Sequence, residues 1–178
     1  MTAIIFSRLT EENFGERSLD EFIRHQEVRE IWRKTADGCR LVPNAFTEDW
    51  DLEHRREVAR EICDGMRDGG FAFGAFSQNK AVGFALVSGK AFGSSNQYVQ
   101  LQLFHVSEPF RGQGIGRKLF GMACAEARAR GAKKIYISAH SSKESQAAYR
   151  KMGCIDAEEI NQELARAEPF DIQMEYRL

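Results

Sequence analysis

Cysteine is sparse in this sequence and never patterned. Its four residues, Cys39, Cys63, Cys124 and Cys154, form no C-x-x-C pair, and the four histidines supply neither H-x-H nor H-E-x-x-H. A zinc site therefore has little support and no metal is expected; the thiols read as free groups buried in a reducing cytosol. A basic excess is also missing: 25 Lys and Arg stand against 26 Asp and Glu, a net charge of −1. That balance argues against a nucleic-acid binder, although it leaves room for a local basic pocket for phosphates. Arg128, Arg130, Lys133 and Lys134 are the strongest basic run, and they suit the negative end of a helix dipole better than a nucleic acid. No apolar run approaches the roughly 18 residues of a membrane span. The stretch Met1–Arg8 is too short in apolar residues for a signal peptide. A soluble cytoplasmic protein with no membrane partner is the expectation. Repeats, low-complexity segments and linkers are absent as well.

What is present is the balance of a globular chain. The sequence has 178 residues, 43% hydrophobic and 29% charged, enough for one domain over residues 1–178 with a real core. Ile4–Leu9 reads as a short strand. Ser18 resembles a helix cap, and Leu19, Phe22, Ile23, Gln26, Val28 and Ile31 follow at helical spacing, which predicts a helix to about Lys34. Cys39–Asp49 reads as a loop, and Leu52–Arg67 as a second, polar helix stopped by Gly69-Gly70. Phe71–Ser77 and Ala81–Ser88 form a hairpin, and Gly89–Asn96 is loop-like. Tyr98–Val106 is the strongest strand. A glycine-rich opening and an amphipathic helix follow over Arg111–Arg130, with Gly131 as the C-terminal cap. Then come a strand Lys134–Ala139, a helix Ser142–Lys151, and strands Cys154–Glu158 and Pro169–Leu178. The order β-α-α-β-β-β-α-β-α-β-β describes a mixed α/β domain around one sheet.

The segment with the clearest chemistry is Arg111-Gly112-Gln113-Gly114-Ile115-Gly116-Arg117, which leads from a strand into a helix. A helix N-terminus offers unpaired N–H groups and the positive end of the dipole. Glycines allow a phosphate to approach the backbone, and Arg111 and Arg117 add charge at either end. The spacing excludes a Walker A loop, because Lys118 is followed by Leu119. It excludes a Rossmann fingerprint too, because the third glycine position falls on Arg117 or Leu119. What remains is R-x-x-G-x-G from Arg111 to Gly116. Three alternating glycines would only weaken a helix start unless something compensates.

At these residues the sequence resembles the GNAT (Gcn5-related) N-acetyltransferase superfamily, whose signature is [QR]-x-x-G-x-[GA]; the likeness is most specific from Gln97 to Cys154. The resemblance implies a mixed, mostly antiparallel sheet flanked by helices, with a splayed strand pair that binds acyl-CoA. It implies acetyl-CoA as acyl donor, with pantetheine on the backbone of Phe104, His105 and Val106. Pyrophosphate would sit on the amides of Arg111, Gly112, Gln113, Gly114, Ile115, Gly116 and Arg117. Tyr149, four residues before Gly153-Cys154 where the family has Gly-Phe, would protonate the leaving thiolate. Ser142 stands where the family often has an Asn that binds the cofactor. Gln100 stands where many members carry a Glu base, and Gln cannot accept a proton.

The base is therefore open. His105 and Glu108 are the candidates nearest the reacting end; His105 shares the strand face of Leu101 and Leu103 in a simple alternation, so a packing role competes, and Glu108 can be a solvated loop acid. The acceptor is expected between the first two helices, where Glu21, Gln26, Glu27, Glu30, Glu53 and Glu57 could recognise a cationic amine and Trp32 and Trp50 could flank it. A small-molecule amine is preferred over a protein amine. The reading from another class is a non-catalytic acyl-CoA-binding or regulatory module, which Gln100 favours and Tyr149 opposes. Pairing of C-terminal strands across a homodimer is a further implication of the likeness.

Overall fold

The computed structural model describes residues 3–178; Met1 and Thr2, the start of the run weighed as a leader, lie outside them. In chain order the elements are β1 (Ile5–Arg8), β2 (His25–Thr35), β3 (Gly38–Asp49), α1 (Leu52–Arg67), β4 (Phe71–Ser77), β5 (Lys80–Phe92) and β6 (Tyr98–Val106). They continue with α2 (Ile115–Ala129), β7 (Lys134–Ala139), α3 (Lys143–Met152), β8 (Ile155–Asp156), α4 (Gln162–Ala167) and β9 (Ile172–Arg177). Seven strands form one sheet in the order β1-β4-β5-β6-β7-β9-β8, and β2 and β3 form a separate hairpin. Every neighbouring pair in the large sheet is antiparallel except β6 with β7.

Two apolar layers cover this sheet. On one face α2 buries Ile115, Leu119, Phe120, Ala123, Cys124 and Ala127, a three-and-four spacing that keeps one stripe inward, against Phe71, Val99 and Leu101. Each large aliphatic or aromatic side chain buried this way contributes about 2 kcal/mol. On the other face α1, capped by Asp51 accepting from the His54 amide, buries Val58, Ala59, Ile62 and Cys63 against Phe22, Phe84 and Leu86.

The first predicted helix does not exist. Residues 16–21 form turns, and His25–Thr35 is strand β2, paired with a strand in the stretch read as a loop. The pairing register shifts between Val28 and Glu30, so Val28 and Ile31 are both buried although three residues apart. An irregular strand thus mimics helical spacing. Pro43 lies at that same irregularity, where a strand tolerates proline. Strand β5 runs on to Phe92, past the expected end at Ser88. Strand β8 shrinks to two residues, α4 was not foreseen, and β9 starts at Ile172 rather than Pro169.

Two irregularities in β6 shape the site. Leu86 pairs with Leu103 and Val87 with Leu101, so Gln102 is an extra residue on β6. The bulge sends Leu101 into the α2-side core and Leu103 against the α1-side core. His105 therefore does not share a face with both leucines, as simple alternation predicted; its ring lies with Phe84 and Trp50. Next to the bulge, β6 also leaves β7. The two pair only from Tyr98–Lys134 to Gln100–Tyr136, and then diverge.

Candidate active site

The divergence opens a cleft of about 950 Å³. One wall is the free edge of β6, with Leu101, Phe104 and Val106. The other is the end of β7 and the face of α3, with Ser138, His140, Ser145, Ala148 and Tyr149. The hairpin closes it with His25, Gln26, Glu27 and Glu48, and the α4–β9 segment with Leu164, Ala167, Glu168 and Asp171. Because β6 pairs with β5 on its other edge, residues 101–105 keep a free backbone edge along the cleft, while the Val106 carbonyl accepts from Arg111.

The glycine segment leads from the end of β6 into α2, and of its residues Arg111 alone lines the cleft. Gly112 and Gly114 have φ of +75° and +83°, values that a side chain strains, and Gly114 is the N-cap with no side chain satisfying the helix start. The first amides of α2 therefore have neither an intrahelical acceptor nor a capping group, and they carry the positive end of the dipole. A Cβ at Gly116 would meet Phe104 Cζ at 3.4 Å, an ordinary contact, which fits a signature that admits alanine there. Ile115 turns its side chain into the core, Arg117 is exposed, and Gln113 braces the loop by donating to the Pro109 carbonyl at 3.0 Å.

Arg111 is engaged elsewhere. Its Nε donates to the Val106 carbonyl at 3.0 Å and Nη1 to the His25 carbonyl at 2.7 Å, tying the hairpin to the end of β6. Burial, and then the charge of Arg24, hold its pKa below the ordinary arginine value. Ser142 is fully buried: it caps α3, accepting from the Ser145 amide, and its hydroxyl also meets Gln26 and Ser145, so it does not line the cleft.

Tyr149 lies on the cleft face of α3, its ring 6.1 Å from that of Phe104. Burial, with Cys154 and Asp171 nearby, raises its phenol above the ordinary value, so it keeps its proton. His105 also lines the cleft, but burial and the neighbouring charges of Arg24, Arg111 and His54 push its pKa down to about 3. A neutral imidazole of that pKa is a poor proton acceptor, and its edge-on contact with Trp50 at 4.8 Å reads as packing. Glu108 is exposed on the 3₁₀ turn after β6 and lines the cleft.

Of the residues considered for the acceptor, Gln26 and Glu27 face the cleft, on the hairpin rather than on a helix. Glu21, Glu30, Glu53 and Glu57 pair with Lys80, Lys143, Arg60 and His54 instead, outside the cleft lining. Trp50 packs between Phe22, His54 and His105, and Trp32 sits half-buried on β2 outside the cleft lining. Four polar pairs at the cleft carried no sequence signal. His25 Nδ1 bonds Asp49 at 2.7 Å, which raises the imidazole pKa; Glu48 meets Arg24 at 2.8 Å and His140 at 3.4 Å; and Ser138 bonds Asp171 at 3.1 Å. Among the described residues no group of three or more His, Cys, Asp or Glu could hold a metal, and no helix is long and apolar enough to cross a membrane.

A strand that parts from its parallel neighbour beside a bulge, followed by a glycine-opened helix, is the arrangement that the resemblance to acetyltransferases implies. The chain belongs to the acetyltransferase (GNAT) family, whose model matches residues 26–154. Its fold is that of nourseothricin acetyltransferase, at 20% identity over 99% of each chain with a TM-score of 0.71. It is also similar to the PaiA N-acetyltransferase of Thermoplasma acidophilum in complex with coenzyme A, at 16% identity over 99% of each chain and a TM-score of 0.62. An aminoglycoside 6′-N-acetyltransferase complexed with coenzyme A matches 69% of this chain and 79% of its own at 18% identity, with a TM-score of 0.53. Among curated proteins none matches the sequence.

Proposed function

We propose that this enzyme moves an acetyl group from acetyl-CoA to the primary amine of a small molecule by direct attack. The observation that carries the reading is the splay of β6 from β7 beyond Gln100, directly before the open N-terminus of α2. The free β6 edge at Phe104, His105 and Val106 can pair with the amides of a pantetheine arm, and the amides of residues 112–117 can receive its pyrophosphate. An N–H on that edge can polarise the thioester carbonyl, and the cleft holds both reactants together. Tyr149 gives its proton to the departing sulfur, a role supported by the burial that raises its pKa and keeps it protonated.

A small acceptor is supported by the way the hairpin and the α4–β9 segment bound the far end of the cleft. Glu27, Glu48 and Glu168 there suit a cationic amine. The nourseothricin and aminoglycoside enzymes that share the fold are named for small-molecule substrates. Gln100 speaks for the rival reading of a non-catalytic acyl-CoA binder. The test is release of free coenzyme A from acetyl-CoA with polyamines, aminoglycosides, amino acids and lysine peptides. Turnover with a small amine and none with peptides supports the proposal. Tight acetyl-CoA binding without transfer to any acceptor replaces it with the binding module.

A further inference from the structure

The base that Gln100 cannot provide has a candidate on the opposite wall of the cleft. Gln100 is the last β6 residue paired with β7, and its partner is Tyr136. Two residues further along β7, Ser138 donates its hydroxyl to Asp171 Oδ2 at 3.1 Å, just before β9 begins. That bond closes a directed chain. The Asn161 amide donates to the Tyr136 hydroxyl at 3.0 Å, which donates to Gln173 Oε1 at 2.8 Å. Gln173 Nε2 in turn donates to the Ser138 oxygen at 2.9 Å. With its oxygen already accepting, the Ser138 hydroxyl has its proton free for Asp171. The chain holds Asp171 by Oδ2 and leaves Oδ1 with no side-chain or backbone donor among the described residues, and Asp171 lines the cleft together with Tyr149.

Given acetyl transfer to an amine, we propose that Asp171 is the general base that takes the proton from the acceptor ammonium, with Ser138 and Gln173 as its positioning residues. An alkylammonium N–H gives its proton to Asp171 Oδ1. The freed nitrogen lone pair forms the C–N bond at the thioester carbon, and the C–S bond breaks. The sulfur receives the Tyr149 proton. The second proton lost from nitrogen restores Tyr149, and Asp171 returns its proton to solvent. Three N–H protons thus become one amide proton, one thiol proton by way of Tyr149, and one released proton.

The surroundings suit that duty. Asp171 is faced by Glu168 at the end of α4, Glu48 on β3, His140 after β7 and Tyr149 on α3, while Arg33 is stacked on the neighbouring Phe170 at 4.3 Å. Burial raises the Asp171 pKa above the ordinary aspartate value, with Glu168 and Glu48 adding to it and the Ser138 bond and His140 opposing. A raised carboxylate is a stronger base at neutral pH.

The experiment measures pH–rate profiles of wild type, Asp171→Asn and Ser138→Ala with the best acceptor amine, and repeats them with a weakly basic analogue that is neutral at assay pH. Asp171→Asn is expected to lower kcat/KM about 100- to 1000-fold for the basic amine. It should lose less than about tenfold with the weakly basic one, because no proton need be removed before attack, while acetyl-CoA binding is unchanged. Ser138→Ala removes a bond that lowers the Asp171 pKa, so its acid limb should move to higher pH; this reading stands even where the Asp171 variant folds poorly. Equal losses with both amines, or a wild-type acid limb in both variants, overturn the assignment. A wild-type enzyme that acetylates no amine overturns the transfer reading itself, whatever Asp171 does.

Discussion

The guanidinium of Arg111 donates to the His25 carbonyl at 2.7 Å and to the Val106 carbonyl at 3.0 Å, so the first residue of the glycine motif joins two backbones that the chain places far apart. Arg111→Ala is expected to cost about 1–3 kcal/mol of stability through the two lost charge-assisted bonds. Urea unfolding measures this. The KM for the acceptor should rise more than that for acetyl-CoA, because the hairpin wall loosens while the loop amides stay.

Gly114 and Gly116 should respond differently to alanine. At φ +83° a Cβ strains position 114 by roughly 1–2 kcal/mol, although it meets no neighbouring atom within 4 Å. At 116 a Cβ makes only ordinary contacts. Titration calorimetry with acetyl-CoA is expected to show at least a tenfold weaker Kd for Gly114→Ala and a change of less than threefold for Gly116→Ala.

Tyr149→Phe removes the proton offered to sulfur and keeps the ring against Phe104. Turnover should fall about 100-fold, with acetyl-CoA affinity almost unchanged. An unaltered kcat would remove Tyr149 from the mechanism.

His105 should not titrate in the working range. With a pKa near 3 it is neutral from pH 5 upward, so the acid limb of the rate profile belongs to another group. Imidazole chemical shifts followed by NMR should stay flat for His105 above pH 5. Those of His25, whose pKa is raised by Asp49, should move above the ordinary histidine value.

Glu175 anchors the far side of the sheet. It is fully buried, accepts from Tyr98 and pairs with Lys134 at 2.8 Å. Burial pushes its pKa up, but the Lys134 and Tyr98 bonds outweigh burial and leave it lowered. The lowered value means that Glu175 stabilises the fold above its unfolded pKa near 4.5, and that this contribution is lost as pH falls through the folded value. Glu175→Gln leaves Lys134 paired with Glu158 alone and should cost about 1–3 kcal/mol at pH 7 through the weakened charge-assisted bonds. The difference from wild type should narrow below pH 4, as thermal unfolding across pH would show.

Where sequence reading failed, irregular strands were the cause. Val28 and Ile31 are helically spaced, yet both are buried on a strand whose register shifts between them. Leu101, Leu103 and His105 alternate in sequence, yet the extra Gln102 turns the last two to the other face. In both places the partner strand sets the face, and a window along one segment does not contain the partner. By contrast α1, β4 and β6 match their predicted bounds, because each ends at a clear stop in the sequence.

The sequence alone determined the glycine-opened start of α2, where the proposed donor site lies. The cap, the glycine conformations and the free amides of α2 are properties of contiguous residues, so R-x-x-G-x-G is legible without a fold. The tertiary structure decided the far end of the cleft. Glu48, His140 and Asp171 come from three distant parts of the chain; the β7–β9 pairing sets His140 next to Asp171, and the hairpin carries Glu48 to them. A carboxylate missing at Gln100 can be supplied from across a cleft, and only the packed fold brings that opposite wall within reach.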